Sequence, residues 1–598
     1  MPWCDSRVLR HARAALFAGQ FALADVFLRG ARARALTPGM AFAMLASVCA
    51  WSLVGALPRR RAARVAVSLL AASLLVVDAF VVRYYGTPLD RQLVASALHG
   101  WADVRPIVVR LVPRALLGVA AVASVEYALL GGVAPVVSLR TRRALLGVAL
   151  LGLLACPAEA LTPDLSAARV VTLMWAPRHA PARGSVTVPL LPSSRDRVPS
   201  VLLVLTESVR ATSYCSDPDA PCAFSPEVNA MFPARVPLWQ MRSLASYTAL
   251  SVSALLTGMT QEGPRDAIRE APLLFDYVHA VRVGDQPVTV AYWSAQLESL
   301  VDRSVRGSVR SLITLETLLG RAVEDEDDVV DQDIDRKLAD RCVTELPTLP
   351  RPALIVLHLL GTHAPYFVDP DHAPFQPVGH VVSWAGLPDL QHAYEDSIVA
   401  QDRSLARCLA AFVRTRGSDP WLIVFTSDHG EAFGEHGGIH HGQSLYDDQI
   451  HVPGWIAASP GALDDAQAKS LGLHRDAFVT HLDVVPTILD ALGVWDALPM
   501  APWRAHLRGR SLLAPPSALP PVPITNCTDA FPCPLNTWGM LGNGHALVGQ
   551  AWDGEFHCVD LSTGDERATG PACGALREAS RAYFPRLPGG QPNVVSAP

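Results

Sequence analysis

Three apolar runs end in residues able to hold a metal ion or a phosphoryl group. VLLVLT (201–206) stops at Glu207, and LIVFTS (422–427) stops at Asp428 and His429. LIVLHLLGTH (354–363) contains His358 and stops at His363. A fourth segment, SYTALSVSALLTG (246–258), places Thr248 among small residues at what reads as a helix start. One carboxylate, an Asp–His pair and a hydroxyl form a coordination set suited to zinc or manganese. A threonine hydroxyl is a poor nucleophile at neutral pH unless a metal or base favours its alkoxide, so Thr248 beside such a set is a candidate for group transfer. Taken singly, each residue is commonplace: a His after a strand is ordinarily structural, and a Thr before an apolar run is ordinarily a helix cap. Their joint occurrence at strand ends is the specific signal.

Those strand ends need a scaffold. From residue 199 onward, short apolar runs alternate with helix-like stretches, the pattern of an α/β fold. Its sheet is covered on both faces, and its chemistry gathers at the carboxyl ends of the strands. The acidic run EDEDDVVDQDID (324–335) lacks the glycine that a calcium loop needs at its turn, and reads as a solvated loop leading into a helix.

The first 160 residues differ. Residues 39–57 carry no charge, 65–82 carry only Asp78, 115–139 carry Glu126, and 144–161 carry Glu159. Each approaches the ~20 apolar residues that cross a bilayer. Residues 14–28, with Gln20 and Asp25, either span or lie in the interface, so four or five spans are expected. Arg59, Arg60, Arg61 and Arg64 separate the first two strong spans, and Arg140, Arg142 and Arg143 the last two. Short arginine-rich loops mark the cytoplasmic side, which places everything after about residue 162 outside. A fifth span at 14–28 would put Arg29, Arg32 and Arg34 outside, which counts against it. The start lacks a cleavable signal pattern, so the helices are expected to remain as an anchor. Asp78, Glu126 and Glu159 are scattered and have no basic partners within the spans, favouring packing or interfacial roles over a transport path. The division expected is an anchor at 1–161, a Pro-, Ser- and Arg-rich linker at 162–198, and a catalytic domain at 199–598. A net charge of -6 gives no general attraction to nucleic acid. Eight cysteines lie beyond residue 200, with close pairs Cys215/Cys222 and Cys527/Cys533, which points to disulfides in an oxidising compartment.

TSDHGEAFGEHGGIHHGQSLYDDQIHVPGWI (426–456) resembles the metal-binding block of the alkaline-phosphatase/sulfatase superfamily. VLLVLTESVR is similar to the family's first metal-ligand strand, SYTALSVSALLTG to its nucleophile helix, and HLDVVPTILDALG and RGRSLL to later segments. VLHLLGTHAPY resembles a block of the lipid A phosphoethanolamine transferases, and GHALVGQAWDGEFHCVDLSTGDE the family's C-terminal hairpin. With its apolar N-terminus, the chain resembles the membrane-anchored branch, which includes lipoteichoic-acid-type phosphoglycerol transferases.

The resemblance implies an α/β/α catalytic domain behind a transmembrane bundle, with a small C-terminal antiparallel sheet. It makes Glu207, Thr248, Asp428 and His429 the metal ligands and Thr248 the nucleophile. His363 and His441 become groups that bind the transferred anion, a second metal, or both. His358 matches a family position as well, while its place inside a strand run suits a structural role equally; His436 and His440 lie near the site in sequence. Zinc is the first choice of cation, with manganese or magnesium behind it and calcium if the chemistry is sulfatase-like. The implied reaction moves phosphoethanolamine or phosphoglycerol from a membrane phospholipid donor to an envelope lipid or glycan acceptor. It proceeds through a Thr248 intermediate with ping-pong kinetics, in a multi-pass inner-membrane protein with an extracytoplasmic domain. Two rivals stand beside it: a hydrolase of phosphodiesters or sulfate esters, and a non-catalytic scaffold, which the full residue set argues against. Two departures matter. Neither C-x-P-x-R nor S-x-P-x-R occurs near 240–260, so the formylglycine of true sulfatases cannot form there. Where the phosphoethanolamine transferases have a disulfide around the nucleophile helix, this chain has Leu244 and Ala254.

Overall fold

The computed structural model describes residues 6–30, 38–56, 60–85, 89, 94, 101–130, 138–156, 160–174, 186–260, 271–297, 305–323, 329, 333–442, 444–526, 537–542, 544–550, 555–567 and 569–583. Seven strands form the central sheet: β1 (Ser200–Thr206), β2 (Val236–Pro237), β3 (Thr289–Ser294), β4 (Ser311–Ile313), β5 (Ala353–His358), β6 (Trp421–Ser427) and β7 (Gly454–Ala458). Their order is β2-β7-β6-β1-β5-β3-β4. The run from β6 to β4 is parallel, and β7 and β2 add an antiparallel edge. Every residue of β1 is buried. Leu202 and Val204 enter one hydrophobic core, Val201, Leu203 and Leu205 the other. The same alternation separates Ile355 and Leu357 from Leu354 and Val356 in β5. Cover on both faces is why these strands read as continuous apolar runs.

The N-terminal part is a set of helices: α1 (Ser6–Gly30), α2 (Pro38–Gly55), α3 (Arg61–Tyr85), α4 (Trp101–Leu130), α5 (Leu139–Ala155) and α6 (Pro163–Met174). Among the described residues, three segments within α2, α3 and α4 are long and apolar enough to cross a membrane: Pro38–Gly55, Arg61–Val82 and Leu111–Leu130. The expected span at 144–161 falls largely within α5. Its helix begins earlier, takes Arg140, Arg142 and Arg143 into its first turns, and ends at Ala155 after 17 residues. Residues 14–28 fall within α1, whose Phe17 and Phe21 pack on Trp51 of α2. Asp78 and Glu126 are buried inside the bundle, and Leu89 N–H donates to Asp78 Oδ1; Glu159 lies outside the described residues. The segment read as linker contains α6, whose Asp164 accepts hydrogen bonds from Ser47 and Trp51 of α2.

The remaining helices used below are α7 (Thr248–Thr257), α8 (Ile334–Glu345), α9 (Leu387–Arg416) and α10 (Pro571–Tyr583). The acidic run does lead into a helix: Asp333 caps α8 by accepting from Arg336 N–H at 3.0 Å. Its residues 324–328 and 330–332 lie outside the described residues. The C-terminal hairpin lies in a four-stranded antiparallel sheet, β8 (Val522–Thr525), β9 (Thr537–Gly542), β10 (His545–Gln550) and β11 (Glu555–Asp560). Disulfides join Cys215 to Cys222, Cys342 of α8 to Cys408 of α9, and Cys558 of β11 to Cys573 of α10. The pair Cys527/Cys533 lies outside the described residues.

Candidate metal and nucleophile site

Glu207 and the Asp428–His429 pair meet because β1 and β6 are parallel neighbours in register, Thr206 beside Ser427. Each chain leaves the sheet at the same level, so the next residues project into one space. Ser208 turns the chain there with a left-handed φ of 57°, a strained choice for a residue with a side chain. Tyr394 of α9 locks the turn: its hydroxyl donates to Ser208 O and accepts from Arg210 N–H, each at 2.9 Å. The turn also aims Ser208 N–H at Asp428 Oδ1, 2.9 Å away.

Thr248 is the first residue of α7. Its Oγ1 donates to Glu207 Oε1 at 3.0 Å and lies 3.0 Å from His429 Nε2. His429 Nδ1 is 2.9 Å from Gly430 O, which can only accept, so Nδ1 carries the hydrogen and Nε2 presents its lone pair to Thr248. Burial pushes His429 down to about 4 against the opposing Asp428 charge, so the imidazole is neutral at pH 7. Burial alone would raise Asp428. His429, His358 and the N–H groups of Ser208 and His429 outweigh it and hold the carboxyl below its usual range.

His363 and His441 stand across from this set. His363 Nδ1 donates to Ala364 O at 2.7 Å, and His441 Nδ1 to Glu431 Oε2 at 3.0 Å. The His441 ring lies 4.3 Å from His429 and 5.7 Å from His363, centroid to centroid. Two groups therefore form around Glu207, one with Asp428 and His429 and one with His363 and His441; within each, one ligand atom per residue lies within 4.8 Å of the others. His358 ends β5 with Nε2 3.9 Å from Glu207 Oε2 and Nδ1 3.4 Å from Tyr292 Oη. Burial pushes it down to about 4, as a neutral wall residue. His440 bonds Glu431 Oε1 at 3.0 Å. His436 turns elsewhere, between Asp448 and Glu566.

Residues 199–494 match the family model described as Sulfatase. Residues 199–494 belong to the sulfatase family. Over 149 residues, 24% of this chain, the protein is 29% identical to phosphatidylethanolamine transferase Mcr-1 of Escherichia coli. Over 104 residues, 17% of this chain, it is 33% identical to choline-sulfatase of Rhizobium meliloti. The matches span only 26% and 18% of those relatives' lengths. The integral membrane protein lipooligosaccharide phosphoethanolamine transferase A of Neisseria meningitidis shares the fold, with a TM-score of 0.55 at 15% identity over 85% of this chain and 98% of that one.

The sulfatase domain contains site residues that sequence reasoning did not single out. Gln296, two residues beyond β3, donates from Nε2 to Glu207 Oε2 at 2.7 Å. Thr362 donates its hydroxyl to Glu207 O. Glu431 is fully buried; burial opposes its charge, but His441 and His440 outweigh that and hold it far below the usual carboxylate range. Glu431 lies within the block 426–456, whereas Gln296 follows an ordinary strand and gives no sequence signal. Leu244 and Ala254 share one hydrophobic cluster, so apolar packing braces α7.

Proposed function

We propose that the protein is a metal-dependent transferase moving a phospho-head group, phosphoethanolamine or phosphoglycerol, from a membrane phospholipid to an envelope lipid or glycan. The observation that carries this reading is Thr248 Oγ1, 3.0 Å from both Glu207 Oε1 and His429 Nε2. The likeness to phosphatidylethanolamine transferase Mcr-1 makes phosphatidylethanolamine the first donor to test. In this reading residues 1–161 anchor the chain, 162–198 link, and 199–598 work outside the cytoplasm, where an outer-leaflet lipid is held at high effective concentration.

The residues present suit a divalent cation. Glu207 and Asp428 are both fully buried, His429 is neutral, and Asp428 Oδ2 has no hydrogen-bond partner among the described residues. Two buried carboxylates without matching positive charge are costly, and a dication would offset them. Glu207, Thr248, Asp428 and His429 would hold it; their mixture of oxygen and imidazole nitrogen favours zinc, then manganese or magnesium. When bound, the cation would supply positive charge that favours the Thr248 alkoxide and the charge gathering on the phosphoryl oxygens.

The chain's own residues account for the rest. Glu207 Oε1 and His429 Nε2 are the acceptors facing the Thr248 hydroxyl proton. Thr248 Oγ1 attacks phosphorus, its bond to phosphorus forms, and the bond to the diacylglycerol oxygen breaks. His363 or His441 gives that oxygen a proton. The same imidazole then takes a proton from the acceptor hydroxyl, which attacks phosphorus and releases Thr248. Glu431 holds His441 with Nδ1 protonated, so Nε2 is the nitrogen that exchanges the proton. The likeness to choline-sulfatase supports a second reading in which water is the acceptor.

Full-length protein in lipid nanodiscs with ethanolamine-labelled phosphatidylethanolamine and a lipid A acceptor distinguishes these readings. Transfer predicts diacylglycerol release, label on the acceptor, and loss of both with EDTA. Label released as free phosphoethanolamine supports the hydrolase. Absence of diacylglycerol from phosphatidylethanolamine and from phosphatidylglycerol contradicts the proposal.

A further inference from the structure

Helices α3 and α4 do not stay equally close along their antiparallel course. At one level a Cβ on Gly118 would lie 3.5 Å from the Val76 methyl groups, in ordinary van der Waals contact, so the helices pack side by side there. Toward the other end a furrow of about 420 Å³ opens between them, with Val65 and Ser68 on α3 facing Ala120, Ala123 and Tyr127 on α4. Small side chains at helical spacing leave that space. Its wall is mostly apolar: the Ser68 and Ser124 hydroxyls are already donated to Arg64 O and Ala120 O, each at 2.8 Å, and Tyr127 adds a phenol ring. Val65 is 47% exposed and Tyr127 37%, so the furrow opens sideways, where lipid would be. Its volume falls within the ~300–1,000 Å³ of small-ligand sites.

The α3 face carrying Val65 and Ser68 continues one turn back to Arg64 and Arg61. No Asp or Glu occurs between residues 57 and 77. Glu126, beside Tyr127 in sequence, is buried and hydrogen-bonds Gln20 of α1, away from the furrow. A mostly apolar slot ending at two arginines, on a stretch of α3 without acidic residues, matches one kind of molecule in a membrane. We propose that the furrow binds one anionic phospholipid, with an acyl chain between α3 and α4 and its phosphate at Arg61 and Arg64. With the orientation given above, this lipid sits in the leaflet opposite the transfer donor; the site itself does not rest on that orientation or on the transfer reaction.

Native mass spectrometry of the full chain, released from nanodiscs of equal phosphatidylserine and phosphatidylcholine, tests the site; neither lipid is a proposed donor. The expected result is one retained phosphatidylserine, preferred about tenfold or more. Arg61→Gln with Arg64→Gln removes the preference. Ala123→Phe, which fills the furrow and keeps both arginines, lowers retention of both lipids. Equal retention of the two lipids by the unaltered protein, or a preference that survives both sets of substitutions, overturns the proposal.

Discussion

A threonine hydroxyl in water keeps its proton at neutral pH, so chemistry at Thr248 depends on what surrounds the oxygen. At Thr248 the neighbours are a buried carboxylate and a neutral imidazole nitrogen, each at 3.0 Å. The second imidazole pair depends in turn on Glu431, whose two oxygens hold His440 and His441. Glu431→Gln keeps the shape but removes the charge and one acceptor. It should lower kcat by roughly 10–100-fold, the range seen when a partner behind a ligand is lost. Coupled to His441→Ala the loss should be less than additive; independent effects would show that Glu431 does not act through His441. Most of this site was legible because Glu207, Asp428 and His429 directly follow apolar strand runs, and strand ends in parallel sheets converge. Gln296 was not legible: its hydrogen bond to Glu207 arises from the pairing of β3 with β5 and β5 with β1, a three-dimensional fact with no local signature.

Elements hold the site through a few ties across long stretches of chain. Helix α8 reaches the loop carrying His363 through Asp335, which accepts from Leu360 and Gly361 N–H at 2.9 Å. Cys342–Cys408 fixes α8 to α9 across 66 residues. Chain-entropy arguments give such a closure about 4 kcal/mol, so Cys342→Ser with Cys408→Ser should lower the denaturation midpoint markedly. A midpoint unchanged by the double substitution would remove the tie from the account. His436 is a second tie, joining the 434–442 loop to the C-terminal turn. It stacks on Tyr446 at 3.7 Å and lies between Asp448 at 2.9 Å and Glu566 at 2.6 Å. Burial works against its charge, but the two carboxylates prevail and hold it up to about 9. A raised histidine stabilises fully below its unfolded value of about 6.5, and the contribution disappears as pH rises through about 9. Glu566 is 46% exposed, which screens part of the effect. The thermal midpoint should fall by roughly 2–4 °C between pH 7 and 10, and His436→Gln should flatten that fall. The main strands were plain in sequence because their hydrophobicity is continuous. The membrane helices were less so, since the ends of α5 depend on where arginines can be tolerated.

At the scale of the molecule, a set of apolar helices precedes a sulfatase domain that buries the carboxylates of Glu207 and Asp428. Binding only to the folded state should raise stability by mass action. Added zinc should therefore raise the thermal midpoint of metal-stripped protein, and Asp428→Asn should abolish the rise; a midpoint indifferent to zinc, manganese and magnesium would leave the buried carboxylates unexplained. The claim beneath the whole account is that Thr248 carries the group in transit. Peptide mass mapping after incubation with phosphatidylethanolamine and no acceptor addresses it directly. The account predicts a phosphoethanolamine adduct on Thr248 that is lost when acceptor is added. Diacylglycerol release with Thr248 unmodified, or an adduct on a different residue, would contradict it.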